Sequence, residues 1–84
     1  MPNDQKFITD ATLAKLAKWL RLLGYDTTVF MKEAGREMLS LAAAENRIVL
    51  TKKRDLLARQ CSGCLHFVVA TDIGSQLREI IEQF

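Results

Sequence analysis

The chain has 84 residues, 49% hydrophobic and 26% charged, with twelve basic side chains against ten acidic ones and a net charge of +2. That length suits one small domain, which buries only about 60–65% of its unfolded surface. The charge balance makes no case for nucleic acid, so any such case rests on where the charges sit. The apolar runs are far shorter than the roughly 20 residues of a membrane helix, and no apolar leader follows the polar start, so a cytoplasmic protein without a membrane partner is expected.

In chain order, residues 1–5 read as a polar, frayed tail to a single domain spanning 1–84. Lys6 to Thr9 reads as a first strand. Ala11 to Leu23 reads as an amphipathic helix with Thr9 or Asp10 as its N-cap. Its buried stripe is Leu13, Leu16, Ala17 and Leu20, and Gly24 stops it. A second strand runs from Asp26-Thr27 to Phe30, and Met31 to Gly35 forms a loop. Arg36 to Asn46 reads as a second helix, with Asn46 able to end it. Arg47 to Thr51 is a β-branched apolar run that suits a strand buried on both faces. Lys52-Lys53-Arg54 leads to a short helix, Asp55 to Arg59, and Cys61-Ser62-Gly63-Cys64 forms a turn. Leu65 to Ala70 reads as a fourth strand and Ser75 to Gln83 as a last helix, opened by Asp72 to Gly74.

Strands alternating with helices predict an α/β fold with a parallel four-stranded sheet covered on both faces. Right-handed crossovers favour strand order 2-1-3-4. The chain then reverses direction between strands 1 and 3, where open α/β sheets bind ligands beyond the carboxyl ends of the strands. Asp10, Lys32, Glu33, Glu37, Lys52 to Asp55, and Thr71-Asp72 all fall at that edge. Clustered carboxylates there could hold a hard divalent cation that activates water. The competing reading is that acids at helix starts, Glu37 and Asp72 above all, are caps.

The run from Asp10 through Leu13, Lys15-Leu16-Ala17-Lys18-Trp19-Leu20-Arg21-Leu22-Leu23-Gly24-Tyr25-Asp26-Thr27 resembles the opening of the Mut-seven C-terminal RNase domain family, of PIN-like nuclease fold. The resemblance continues through Arg47 to Thr51, Asp55-Leu56-Leu57, Asp72 and Gln76-Leu77-Arg78-Glu79, so it spans nearly the whole chain. It implies a three-layer α/β/α sandwich and RNA cleavage dependent on a Mg or Mn ion. Carried over by position, the catalytic candidates are Asp10, Glu37 and Asp55, and the metal candidates are Asp10, Asp55 and Asp72. Thr51 could hold an acid or a water by its hydroxyl.

Two departures from the family pattern matter. Where the family typically reads Thr-Arg-Asp-Arg-Asp, this chain reads Thr51-Lys52-Lys53-Arg54-Asp55, so Lys53 replaces an expected metal-binding acid. An ammonium about 4 Å from a cation opposes it by roughly 4 kcal/mol per unit charge at an effective dielectric of 20. Lys53 either pairs with Asp10 and fills the space of the metal, or swings out and leaves one weakly bound ion. Arg36, beside Glu37, changes the charge in the same direction. The alternative function is therefore a catalytically silent PIN-like module that binds RNA or a protein partner. The family's zinc ribbon is the second departure. Cys61 and Cys64 precede strand 4, His66 is the nearest third ligand and no fourth is evident, so free thiols and no zinc are expected.

Lys15, Lys52, Lys53, Arg54 and Arg59 are the candidate RNA contacts, because phosphates are held by Lys and Arg. Lys18 and Arg21 share the outer side of the first helix with Lys15, where a solvated face is the competing reading. Trp19 is expected to cover the sheet and Tyr25 to staple the helix end. The apolar end at Phe84 reads as a contact for a second copy or for a continuation of the chain.

Overall fold

A computed structural model describes residues 5–32, 35–52 and 65–84. The elements are β1 (Lys6–Asp10), a 3₁₀ turn (Ala11–Leu13), α1 (Ala14–Leu22), β2 (Asp26–Phe30), α2 (Arg36–Glu45), β3 (Ile48–Thr51), β4 (Leu65–Phe67) and α3 (Ile73–Gln83). The strands form one sheet of order β2-β1-β3-β4, and every pairing is parallel. The expected fold class and strand order are those observed. Among the described residues, no helix is long and apolar enough to cross a membrane.

Strand alternation divides the core into two layers. Phe7 and Leu50 face one side of the sheet, where they pack with Leu13, Leu16, Leu20, Val68 and Ile80 beneath α1 and α3. Ile8 and Val49 face the other side and pack with Met38 and Ala42 of α2. A strand whose successive side chains go to opposite faces has to be apolar throughout when both faces are covered. The Ile-Val-Leu run of β3 meets that demand. The result is helix, sheet, helix.

Gly24 ends α1 through a left-handed φ of +99°. The Tyr25 N–H donates to the Leu20 carbonyl at 2.9 Å and the Gly24 N–H to the Arg21 carbonyl at 3.0 Å, which satisfies two open carbonyls of the last turn. Tyr25 then packs on the core with its ring 5.4 Å from that of Phe7, the staple expected from the sequence. Asn46 ends α2 in the same left-handed region, with φ of 56°.

Two expectations change. β4 ends at Phe67 rather than Ala70. The Val68 N–H still donates to the Thr51 carbonyl at 2.7 Å. Beyond it, the Val69 and Ala70 N–H groups donate to the Glu79 carboxylate instead, so side chains of α3 replace the strand ladder. The inward face of α3 is Ile73, Gln76, Leu77 and Ile80, while Ile81 is 47% exposed. Trp19 is 42% exposed and does not cover the sheet, because the buried stripe of α1 is Leu16, Ala17 and Leu20. Phe84 is 39% exposed, and its ring meets Phe7 at 5.5 Å and His66 at 5.6 Å.

Arg47 ties the amino ends of three strands together. Its guanidinium donates to the Phe7 carbonyl at 3.2 Å, the Asp26 carbonyl at 3.1 Å, the Asp26 carboxylate at 3.0 Å and the Glu45 carboxylate at 2.6 Å. Burial alone would lower its pKa, but these two carboxylates raise it. Arg47→Met keeps the apolar stem and removes all four bonds. Loss of hydrogen bonds involving charged groups is expected to destabilise the fold by about 2 kcal/mol, read as a lower urea midpoint at unchanged m-value.

Candidate functional site

Because all four strands run the same way, their carboxyl ends share one edge. Order β2-β1-β3-β4 places the reversal of the chain between β1 and β3. At that point the buried surface turns polar. Thr9 and Asp10 at the end of β1 and Thr51 at the end of β3 are all buried. Among the described residues, the buried Thr9 hydroxyl has no hydrogen-bond partner. Buried polar groups in an apolar core oppose stability, which makes this edge the candidate site.

Asp10 is 5% exposed. Its Oδ1 accepts from the Thr12 N–H at 3.0 Å and the Thr12 hydroxyl at 2.5 Å, so it caps the 3₁₀ turn that leads into α1. Alternation along β1 sends Asp10 to the α2 side of the sheet, with Ile8. Thr51 goes to that side with Val49 by the same count.

Glu37 lies in the first turn of α2. Its carboxylate is exposed and meets the Lys32 ammonium at 3.4 Å, a surface pair worth about 0–1 kcal/mol. Asp72 is exposed and caps α3, with Oδ2 accepting from the Ser75 N–H at 2.9 Å. The bonds from Ser75 hold the Asp72 carboxyl below the usual carboxylate range. Asp72 thus does what the capping reading assigns to helix starts, whereas Glu37 makes no cap bond and pairs with Lys32 in the first turn of α2. Among the described residues, no group of three or more His, Cys, Asp or Glu side chains is placed to hold a metal ion. Asp55 and Lys53, with Arg54, Arg59, Glu33, Cys61 and Cys64, lie outside the described residues.

Two of the candidate RNA contacts line a cleft of about 540 Å³ between the start of α1 and the start of α3. Lys15 and Lys52 stand there with Thr12, Leu13, Leu16, Thr71, Asp72, Ile73 and Gln76. Lys52 is anchored: its ammonium donates to the Ala70 carbonyl at 2.8 Å and the Val68 carbonyl at 3.2 Å. Arg21 is also anchored, through Nε to the Thr27 carbonyl at 2.7 Å, so it ties α1 to the edge strand β2.

Sequence reasoning did not assign the side chains that hold this edge in place. Glu79 accepts from the Ala70 N–H at 3.0 Å, the Val69 N–H at 3.1 Å and the His66 ring at 2.6 Å. Burial alone would raise its pKa, but the Ala70 N–H, His66 and the Val69 N–H together hold it below the ordinary value. Gln76, one turn earlier, donates to the Ala70 carbonyl at 3.1 Å. A signal was present. Gln76 occupies a buried position on an apolar stripe, and a polar residue there needs a partner.

A model of the Mut7-C RNAse domain matches residues 5–84. The chain belongs to the Mut7-C RNAse domain family. No curated protein and no solved structure matches it. The match takes in both helix-stop motifs, Asp10, and the Gln76 and Glu79 pair that straps α3 to β4. Membership supports a nuclease-like domain, and the parallel sheet with its polar carboxyl edge is the framework on which a Mut7-C site would be built.

Proposed function

We propose that this Mut7-C domain cleaves RNA phosphodiesters at the carboxyl edge of its sheet, around Asp10. The observation that carries this reading is the placement of Asp10. It is a buried carboxylate at the end of a central strand, at the reversal point, on the side of the sheet to which alternation also sends the buried Thr51. A carboxylate is retained in such a place only where its charge is used or neutralised.

The described acids do not form a metal site by themselves. Asp10 and Asp55 are the residues that would hold a Mg or Mn ion, with Glu37 as a further ligand or as the base. Asp72 is a weaker candidate because its carboxylate already serves the α3 start. Such an ion, when bound, supplies an activated water and offsets charge on the phosphate. Asp10 contributes a fixed negative charge, oriented by Thr12, and Lys15 and Lys52 hold phosphates of the strand nearby. A silent module is the second reading, favoured by Lys53 and by the use of Glu37 and Asp72 in local contacts.

Labelled single-stranded RNA incubated with and without Mn separates the two. Cleavage by the natural protein is expected to require Mn and to fall roughly a hundredfold or more in Asp10→Asn. Asn caps a helix start about as well as Asp, so a folded but inactive variant isolates the charge. No cleavage by the natural protein, with tighter Mn binding in Lys53→Asp, identifies the silent module. Unchanged Mn binding in Lys53→Asp removes Lys53 from the neighbourhood of Asp10.

A further inference from the structure

We propose that the cleft between the starts of α1 and α3 binds one nucleotide of single-stranded RNA, with its phosphate on Lys52 and Lys15 and its ribose 2′-hydroxyl on Asp72. The choice of RNA as ligand rests on the ribonuclease reading, and the cleft shares Lys15, Lys52 and Asp72 with the residues named there but neither Asp10 nor Glu37.

The cleft has the dimensions and the place of a ligand site. Its volume of about 540 Å³ lies within the range of roughly 300–1,000 Å³ that small-molecule sites occupy. Its walls follow β1, β3 and β4, so it opens at the reversal point of the sheet, on the side covered by α1 and α3. Asp10, at the same sheet edge, adjoins the cleft through Thr12, whose N–H and hydroxyl donate to its carboxylate. One strand of RNA can cross that edge.

The cleft's chemistry selects an anion with an apolar body. An ammonium has three donors, and Lys52 spends two of them on the Val68 and Ala70 carbonyls. Among the described residues nothing takes the third, and the side chain is already held in place, so a phosphate that binds there orders little that was loose. Lys15, exposed in the first turn of α1, adds a second positive charge, and the starts of two helices favour an anion between them. Ile73, half-buried, offers the cleft an apolar surface to a base, backed by the buried Leu13 and Leu16. Asp72 takes one N–H at 2.9 Å, and a carboxylate has room for further donors. It lines the cleft together with the two lysines, as an acceptor to which a 2′-hydroxyl of RNA can donate and a deoxyribose cannot.

The test is binding of adenosine 5′-monophosphate in EDTA, followed by amide chemical shifts, beside the 2′-deoxy form and a hexaglutamate peptide. Saturable shifts at Thr12, Lys15, Thr71 and Gln76 are expected, with weaker binding of the deoxy form. Lys52→Met should weaken the nucleotide by roughly tenfold. Lys15→Ala, at an exposed position, should weaken it without altering the fold. Asp72→Asn should bring the ribose and deoxyribose forms to similar affinity. Absent shifts, or binding unchanged in both lysine variants, overturn the proposal. Equal binding of the deoxy form by the natural protein overturns the role of Asp72. Hexaglutamate binding more tightly than the nucleotide overturns RNA in favour of an acidic protein segment. Nucleotide binding in a protein that cuts no RNA upholds the cleft and removes only the cleavage reading, because EDTA and the mononucleotide take the acid site out of the measurement.

Discussion

Glu79→Ala is expected to cost about 2–4 kcal/mol, a large share of the roughly 4–13 kcal/mol available to a domain of this length. One carboxylate satisfies the Val69 and Ala70 N–H groups and meets the His66 ring at 2.6 Å. Its removal leaves the Ala70 N–H, in a half-buried segment, with nothing to accept it. The same segment carries the Ala70 carbonyl that anchors Lys52 and Gln76. The variant should therefore loosen the cleft as well as the fold, with faster amide exchange at residues 68–71.

The pH dependence follows from the sign of the Glu79 shift. The folded state holds this carboxyl below its ordinary value of 4.5. Its contribution is complete above the unfolded value and is lost as pH falls through the lower, folded one. Glu79→Gln retains an oxygen acceptor for the N–H groups but no charge. It should lose less stability than Glu79→Ala at neutral pH and show a shallower decline below about pH 4.5. Urea midpoints from pH 3 to 7 measure this, and an unaltered acid slope in Glu79→Gln would count against the assignment.

Phe7→Ala should cost about 3–5 kcal/mol and leave the protein near its folding limit. Phe7 is fully buried, with rings of Tyr25 at 5.4 Å and Phe84 at 5.5 Å and the leucines of α1 above it. Its neighbours come from both ends of the chain, so the cavity cannot close by a local shift. Trp19→Ala removes a larger ring at a 42% exposed position and should cost under about 1 kcal/mol. Denaturant curves of the two variants compare them directly. A larger loss in Trp19→Ala than in Phe7→Ala would mean that α1 is rotated from the register described.

That pair also marks where reading the chain succeeds and where it stops. The stripe of Leu13, Leu16, Ala17 and Leu20 was legible because helical spacing is a local property. The exposure of Trp19 was not, since a bulky ring beside an apolar stripe can turn inward or outward, and only the packed neighbours decide. Gly24 and Asn46 announced the helix ends through their own backbone preferences. The early end of β4 was invisible, because Leu65 to Ala70 is β-prone throughout. The competitor for its N–H groups, Glu79, is distant in sequence.

For the site, the carboxyl edge and Asp10 followed from the strand-helix alternation and the right-handed crossover rule, which leave few arrangements. The sequence by itself determined the parallel sheet and its order, and with them the place of Asp10 at the carboxyl edge, because period, helix stops and connection handedness act over short stretches. Only the tertiary structure decided what each charged group at that edge does. Asp72 caps a helix, Lys52 is bound to backbone carbonyls, and Glu79 replaces a strand. A side chain's partner is set by which distant segment folds against it, and no local pattern encodes that distance.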